Sequence, residues 1–67
     1  MIVLEARKPY DIQPFGTGDA TVSGSGGVAT LRRLNDAWVC DSPEWFDLPR
    51  GTYTVTCGDQ TDTMELI

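Results

Sequence analysis

The chain has 67 residues, and ten acidic side chains against five basic ones give it a formal net charge of −5. A chain this short forms one small domain with little interior, so it often relies on a metal, a disulfide or a partner subunit for stability. It has no histidine, which excludes Ser-His and Cys-His catalysis, and its two cysteines alone cannot complete a structural zinc site. We therefore expect one domain over residues 1–67, without metal or cofactor, that gains buried surface by oligomerisation.

The charge and the apolar runs limit the kinds of partner. A net negative charge repels phosphate backbones and anionic membrane surfaces. The basic residues Arg7-Lys8, Arg32-Arg33 and Arg50 are separated in the sequence and predict no basic patch. The longest apolar run covers residues 1–4, too short for a membrane span, and no signal peptide pattern is visible. We expect synthesis in the cytoplasm and no direct contact with nucleic acid or membrane.

The spacing of turn-forming residues predicts the fold class. Glycine, proline and small polar residues recur about every ten positions, between short segments rich in Thr, Val, Tyr and Trp. This is typical of an all-β fold, either a small β-sandwich or a partly open barrel of about five or six short antiparallel strands. One short helical turn is expected near residues 42–46.

The N-terminal third is predicted to be extended. Residues 2–6 form an apolar strand that is buried on both faces or clamped against a neighbouring chain. Because Pro9 and Pro14 bracket a brief extended piece, residues 1–14 are a candidate arm that contacts other subunits. Residues 20–23 are predicted as a short strand, and the glycine-rich residues 23–27 as a mobile loop.

The middle of the chain predicts a hairpin. Residues 28–34 and 37–40 pair about a turn at Asn35-Asp36, two residues that tolerate positive φ. This register puts Arg33 opposite Trp38. The guanidinium of Arg33 then either stacks on the indole ring or points into solvent.

A helix start follows the hairpin. Ser42 is a capping residue, Pro43 suits the first turn and Glu44 suits the exposed N–H groups, but Pro49 stops the helix after one turn. That turn brings Trp45 or Phe46 onto the open end of the sheet. Two large apolar neighbours cannot both easily point inward, so one of them is a candidate for contact with a partner.

The C-terminal third predicts a second hairpin. Residues 48–51 fit a β-turn, and residues 52–57 alternate strictly, with Tyr53, Val55 and Cys57 on one face. A four-residue loop at 58–61 would pair Val55 with Met64 and would keep both residues on the core face.

No motif predicts a chemical site. Asp41 and Asp59 lie close in sequence to the two cysteines, and neighbouring acids are expected to oppose the formation of a nucleophilic thiolate. Residues 24–29 match a dinucleotide pattern by letter but precede a β-type run instead of a helix. The acidic residues are predicted as turn residues, caps and solvated faces, so we expect no catalytic, cofactor-binding or metal-ligating residues.

Two resemblances suggest an architecture and a setting. Residues 48–56, LPRGTYTVT, resemble the L-P-x-G-x-Y-x-V-x strand near the end of many immunoglobulin-like and prealbumin-like sandwich modules, which implies an inward-packed tyrosine. In size, short strands and Gly/Thr/Ser loops, the chain also resembles small acidic β proteins of tailed bacteriophage particles, namely capsid decoration (cement) proteins and tail accessory proteins. That resemblance implies a symmetric oligomer, often a trimer, on a capsid or tail.

These observations and the second resemblance predict a non-enzymatic structural or interaction protein, namely a small phage virion component. Its partners would be other copies of itself and a larger assembly such as a capsid or tail. The candidate contact residues are Ile2, Val3, Leu4, Trp45 and Phe46. The alternative is an acidic inhibitor that mimics nucleic acid on a host or defence enzyme. Its phosphate surrogates would be Asp41, Glu44, Asp47, Asp59, Asp62 and Glu65.

Overall fold

The computed structural model describes residues 1–67 as seven β-strands and one short α-helix. In chain order the elements are β1 (Ile2–Leu4), β2 (Tyr10–Ile12), β3 (Ala20–Gly24), β4 (Gly27–Leu34), β5 (Ala37–Cys40), α1 (Pro43–Asp47), β6 (Gly51–Cys57) and β7 (Gln60–Leu66). The strands form one open, curled sheet, a half-barrel, in the order β1-β7-β6-β3-β4-β5-β2. The predicted all-β class and single helical turn are confirmed. The sheet has more strands than predicted, it is not a sandwich, and β1 runs parallel to β7.

Residues 1–14, the candidate arm, supply both edge strands of the sheet. β1 pairs with β7 at one edge, and β2 pairs with β5 at the other. A flat sheet of seven strands would measure about 29 Å from edge to edge. The chain from Leu4 to Tyr10 reaches at most about 21 Å. The sheet therefore has to curl for one short connection to join its two edges.

The core lies on the concave face of the curled sheet. It contains 13 buried residues, and no polar or charged residue is buried. The buried residues are Ala20, Val22, Ala29, Leu31, Trp38, Cys40, Trp45, Leu48, Tyr53, Val55, Cys57, Met64 and Leu66. Every second residue of each long strand points into this core, so the predicted alternation of β6 is confirmed.

The two predicted hairpins form, but only one has the predicted register. β4 and β5 turn at Asn35-Asp36 and pair Arg33 with Trp38, as expected. The prediction of a four-residue loop between β6 and β7 was wrong. The chain reverses within two residues, because Gly58 adopts a φ of 62°. Tyr53 therefore pairs with Met64. The register differs from the predicted one by two residues, so Met64 still faces the core.

The glycine-rich segment at residues 23–27 is a tight packed turn and not the predicted loop. The β3–β4 ladder continues to the pair Gly24 and Gly27, which leaves a two-residue turn. A Cβ atom on Gly24 would lie 2.7 Å from Cδ2 of Tyr53 and 2.9 Å from the carbonyl oxygen of Thr52. Glycine is required here because a neighbouring strand packs against the backbone.

Gly24→Ala is expected to destabilise the fold by about 1–3 kcal/mol, because the added methyl group overlaps Tyr53 and a backbone oxygen. Gly18→Ala is the matched control, since nothing lies within 4 Å of the added Cβ at that position. Its free energy of unfolding should change by less than about 1 kcal/mol. Urea unfolding of both variants tests this, and equal stabilities would contradict the packed turn.

Candidate functional site

The two buried tryptophans hold the N-terminal segment against the core. The Trp38 Nε1–H donates to the carbonyl oxygen of Gly18 at 2.8 Å, and the Trp45 Nε1–H donates to that of Lys8 at 2.7 Å. The Phe15 ring packs edge-on against Trp38, with ring centroids 4.7 Å apart and an interplanar angle of 86°. Both indole groups therefore have an internal partner for their only polar atom.

The helix forms as the capping signal predicts. The Ser42 Oγ accepts from the Trp45 N–H at 3.2 Å, Pro43 is in the first turn, and the Leu48 N–H donates to the Trp45 carbonyl oxygen at 3.2 Å. This turn drives the Trp45 side chain fully into the core. The adjacent Phe46 is partly buried and packs against the same core.

The candidate contact residues of β1 are divided between the two faces of the sheet. Ile2 and Leu4 lie opposite Met64 and Leu66 of β7 and pack against the core. Val3 points outward and is 51% exposed. Of the five residues that the sequence suggested for a partner, only Val3 has a largely exposed side chain, and Trp45 presents no surface at all.

The Arg33 guanidinium is neither stacked on Trp38 nor free in solvent, the two alternatives that the sequence left open. Its guanidinium donates from Nη1 to the carbonyl oxygen of Gly16 and from Nε to that of Asn35 at 2.7 Å. Its backbone N–H donates to Oδ1 of Asp19 at 2.8 Å. Arg33 therefore fastens the loop before β3 to the β4–β5 turn, and its guanidinium is occupied by backbone oxygens.

The cysteines are buried free thiols. Burial raises the pKa of the Cys40 thiol to about 12, and the nearby Asp11 and Asp41 carboxylates raise it further in the same direction. The sequence predicted the effect of Asp41 but not that burial would be the larger cause. The Cys40 thiol stays protonated at neutral pH and is a poor nucleophile.

The acidic residues do not assemble a metal centre. No group of three or more Cys, Asp or Glu side chains comes close enough to hold a metal ion. A shallow groove of about 260 Å³ lies beside β2 and contains two carboxylates, Asp11 and Asp41, with Pro9, Tyr10 and Val39.

A larger cleft of about 540 Å³ gathers three of the five basic residues of the chain. Its lining consists of Glu5, Ala6, Arg7, Lys8, Pro49, Arg50 and Ile67, and we call it the basic cleft. The sequence predicted no basic patch, so this expectation was wrong. Only one of the three cations is paired, since Lys8 Nζ lies 3.0 Å from Oε2 of Glu5 while Arg7 and Arg50 form no salt bridge.

The strand register explains how the basic cleft forms. Leu66 of β7 lies between Leu4 of β1 and Gly51 of β6, so three neighbouring strands end in one row. Residues just beyond this row, such as Arg50 and Arg7, meet at the same end of the sheet. The parallel pairing of β1 with β7 brings the two ends of the chain together, and no local sequence pattern predicts this pairing.

Comparison of the chain with protein-family models, with curated proteins and with solved structures finds no match. The one helix has five residues, and no helix is long and apolar enough to cross a bilayer.

We expect the free energy of unfolding to be independent of the Cys40 thiol below about pH 9, the ordinary thiol value, and to fall between about pH 9 and 12. The sign follows because the raised pKa makes the folded state hold a proton that the unfolded state releases in this range. Cys40→Ala should make the stability decline less steeply above pH 9. Urea unfolding from pH 7 to 11 measures the two slopes, and equal slopes would contradict the assignment.

Proposed function

We propose that this chain is a non-enzymatic structural or interaction protein that acts through protein–protein contacts in a symmetric assembly. The observation that carries the proposal is an uncharged patch on the outer surface of strands β7, β6, β3 and β4, bounded by the outward-facing Glu65 of β7 and Arg32 of β4. Eight of the residues that alternate with the core residues on these strands form two uncharged rows across the sheet. The rows are Thr61, Thr56, Thr21 and Thr30, and Thr63, Thr54, Ser23 and Val28. We call these eight residues the threonine face.

The threonine face is suited to contact with another polypeptide. None of its eight residues is charged, although 22% of the residues in the chain are. Covering charged side chains requires their desolvation, whereas hydroxyl groups can exchange a bond to water for a bond to a partner. Val28, 58% exposed, lies at one border, and Val3, 51% exposed, lies on the outward side of the edge strand next to β7. Two exposed valines at the margins add apolar area to this surface.

The proposed setting is a virion. The size, the acidic charge and the short strands resemble those of phage capsid decoration and tail accessory proteins, whose partners are copies of themselves and a capsid or tail lattice. For this chain we propose the same two kinds of partner, with Val3 and the threonine face as the contact surface. Trp45 is left out of that surface because it is buried.

The alternative proposal is an acidic inhibitor that mimics nucleic acid. It is favoured by three exposed acidic residues on and beside α1, namely Asp41, Glu44 and Asp47. A charge mimic works best with a continuous negative surface, whereas this chain gathers three of its five cations, Arg7, Lys8 and Arg50, in one cleft. This contrast favours the assembly proposal.

Thr54→Lys tests the assembly proposal, because Thr54 lies between Thr63 and Ser23 in the middle of the threonine face. We expect the protein to associate with rising concentration and the variant to associate at least about tenfold more weakly, since a buried unpaired ammonium is costly. Ser25→Lys, in the exposed β3–β4 turn, makes the same charge change and should associate as the unaltered chain does. Sedimentation equilibrium measures the association constants.

Both variants lower the net negative charge, so weaker association cannot come from added repulsion between copies. Circular dichroism and urea unfolding establish that both variants fold. Association that is equal in the two variants, or a chain that stays monomeric, would contradict the threonine face as the assembly surface. A complex with a basic protein that dissociates between low and high salt would instead favour the charge mimic.

A further inference from the structure

We propose that the basic cleft binds a doubly charged oxyanion group, namely the phosphate of a small phosphate monoester or free inorganic phosphate. This binding site is separate from the threonine face and does not depend on the proposed assembly. It rests on the unpaired guanidinium groups, on the backbone of Arg7 and on the position of the cleft in the fold.

The cleft holds positive charge that the protein itself does not neutralise. The chain has twice as many acidic as basic residues, yet no carboxylate forms a salt bridge with Arg7 or Arg50. Glu5, the one acidic side chain of the cleft, is paired with Lys8, so no side chain of the cleft offsets the charge of Arg7 or Arg50. The planar donor forks of two guanidinium groups match the oxygens of a phosphate group.

Arg7 is presented by a constrained backbone. Its φ is 64°, in the left-handed region, which costs a residue with a Cβ atom about 1–2 kcal/mol. The residues around it are fixed by hydrogen bonds: the Glu5 N–H donates to the Tyr10 hydroxyl at 2.9 Å, and the Lys8 carbonyl oxygen accepts from Trp45 Nε1 at 2.7 Å. Glycine or asparagine would occupy this position at lower cost. An arginine held in this conformation is typical of a binding position that is arranged in advance.

The size and surroundings of the cleft favour a small ligand over a nucleic acid strand. A volume of about 540 Å³ is that of a small-molecule site. A polyanion would extend beyond the three cations onto the rest of a chain whose formal net charge, with these cations included, is −5. A single phosphate group, with two negative charges, is matched by the two unpaired guanidinium groups alone.

The first test measures binding of inorganic phosphate and of adenosine monophosphate by the full chain, by calorimetry and amide chemical shifts at constant ionic strength. Acetate is the singly charged control. We expect phosphate to shift the amide signals of residues 5–8 and 50–51, and acetate to bind at least about tenfold more weakly. Tighter binding of adenosine monophosphate identifies an ester as the ligand, and equal binding identifies the free phosphate group. No binding of either below about 10 mM would overturn the proposal.

Arg50→Gln and Arg32→Gln are the matched pair of variants. Both remove one positive charge, but Arg50 lines the basic cleft and Arg32 is exposed on β4 outside it. We expect Arg50→Gln to weaken phosphate binding about tenfold, which corresponds to about 1.4 kcal/mol, and Arg32→Gln to bind as the unaltered chain does. Equal losses in both variants would mean that net charge alone attracts the anion, and the proposal would be wrong.

Arg7→Gly separates binding from folding. Glycine adopts the left-handed conformation without the Cβ penalty, so we expect this variant to be at least as stable to urea as the unaltered chain and to lose phosphate binding. A fully folded variant that binds phosphate unchanged would show that Arg7 takes no part in the site, and it would contradict the proposal.

Discussion

The short connection between the two edge strands is the constraint on which this fold depends. β1 and β2 lie at opposite edges of a seven-stranded sheet, yet only residues 5–9 join them. Because this connection is shorter than the width of a flat sheet, the strands must curl into a half-barrel. The curl creates a concave face, and on that face 13 side chains are buried in a chain of 67 residues. Without the curl, a single sheet of this size would expose one apolar face to water.

The indole N–H groups of the two tryptophans fasten the remaining N-terminal backbone to the core. Trp45 holds the connection between the edge strands through Lys8, and Trp38 holds the loop before β3 through Gly18. Each indole fills a large volume, and its hydrogen bond is the partner that a buried donor requires. Losing an acceptor would leave a buried N–H unsatisfied, at a cost of about 1–3 kcal/mol. The indole side chains of Trp38 and Trp45 therefore fill the core and also fix the path of the chain outside the strands.

Local features were predictable from the sequence, and long-range pairings were not. The Ser42-Pro43 cap and the Asn35-Asp36 turn depend on neighbouring residues, so the helix and the β4–β5 register follow from the pattern. The β6–β7 register did not, because registers two residues apart bury the same side chains and alternation cannot distinguish them. The parallel pairing of β1 with β7 joins the two ends of the chain, and no pattern within either segment indicates it. The basic cleft was missed for that reason, since its cations meet only once these strands are neighbours.

The curled sheet also separates two kinds of surface. The threonine face occupies the outward side of strands β7, β6, β3 and β4, whereas the basic cleft lies where β1 and β7 end and β6 begins. Under the two proposals, a partner on the face and an anion in the cleft would not compete for the same residues. Strands β6 and β7 carry half of the threonine face, adjoin the cleft through Arg50 and Ile67, and are joined by a continuous ladder from Gly51–Leu66 to Cys57–Gln60. The left-handed backbone of Arg7 lies in the cleft, whereas the proposed interaction surface is built on a regular ladder that contains no left-handed residue other than glycine.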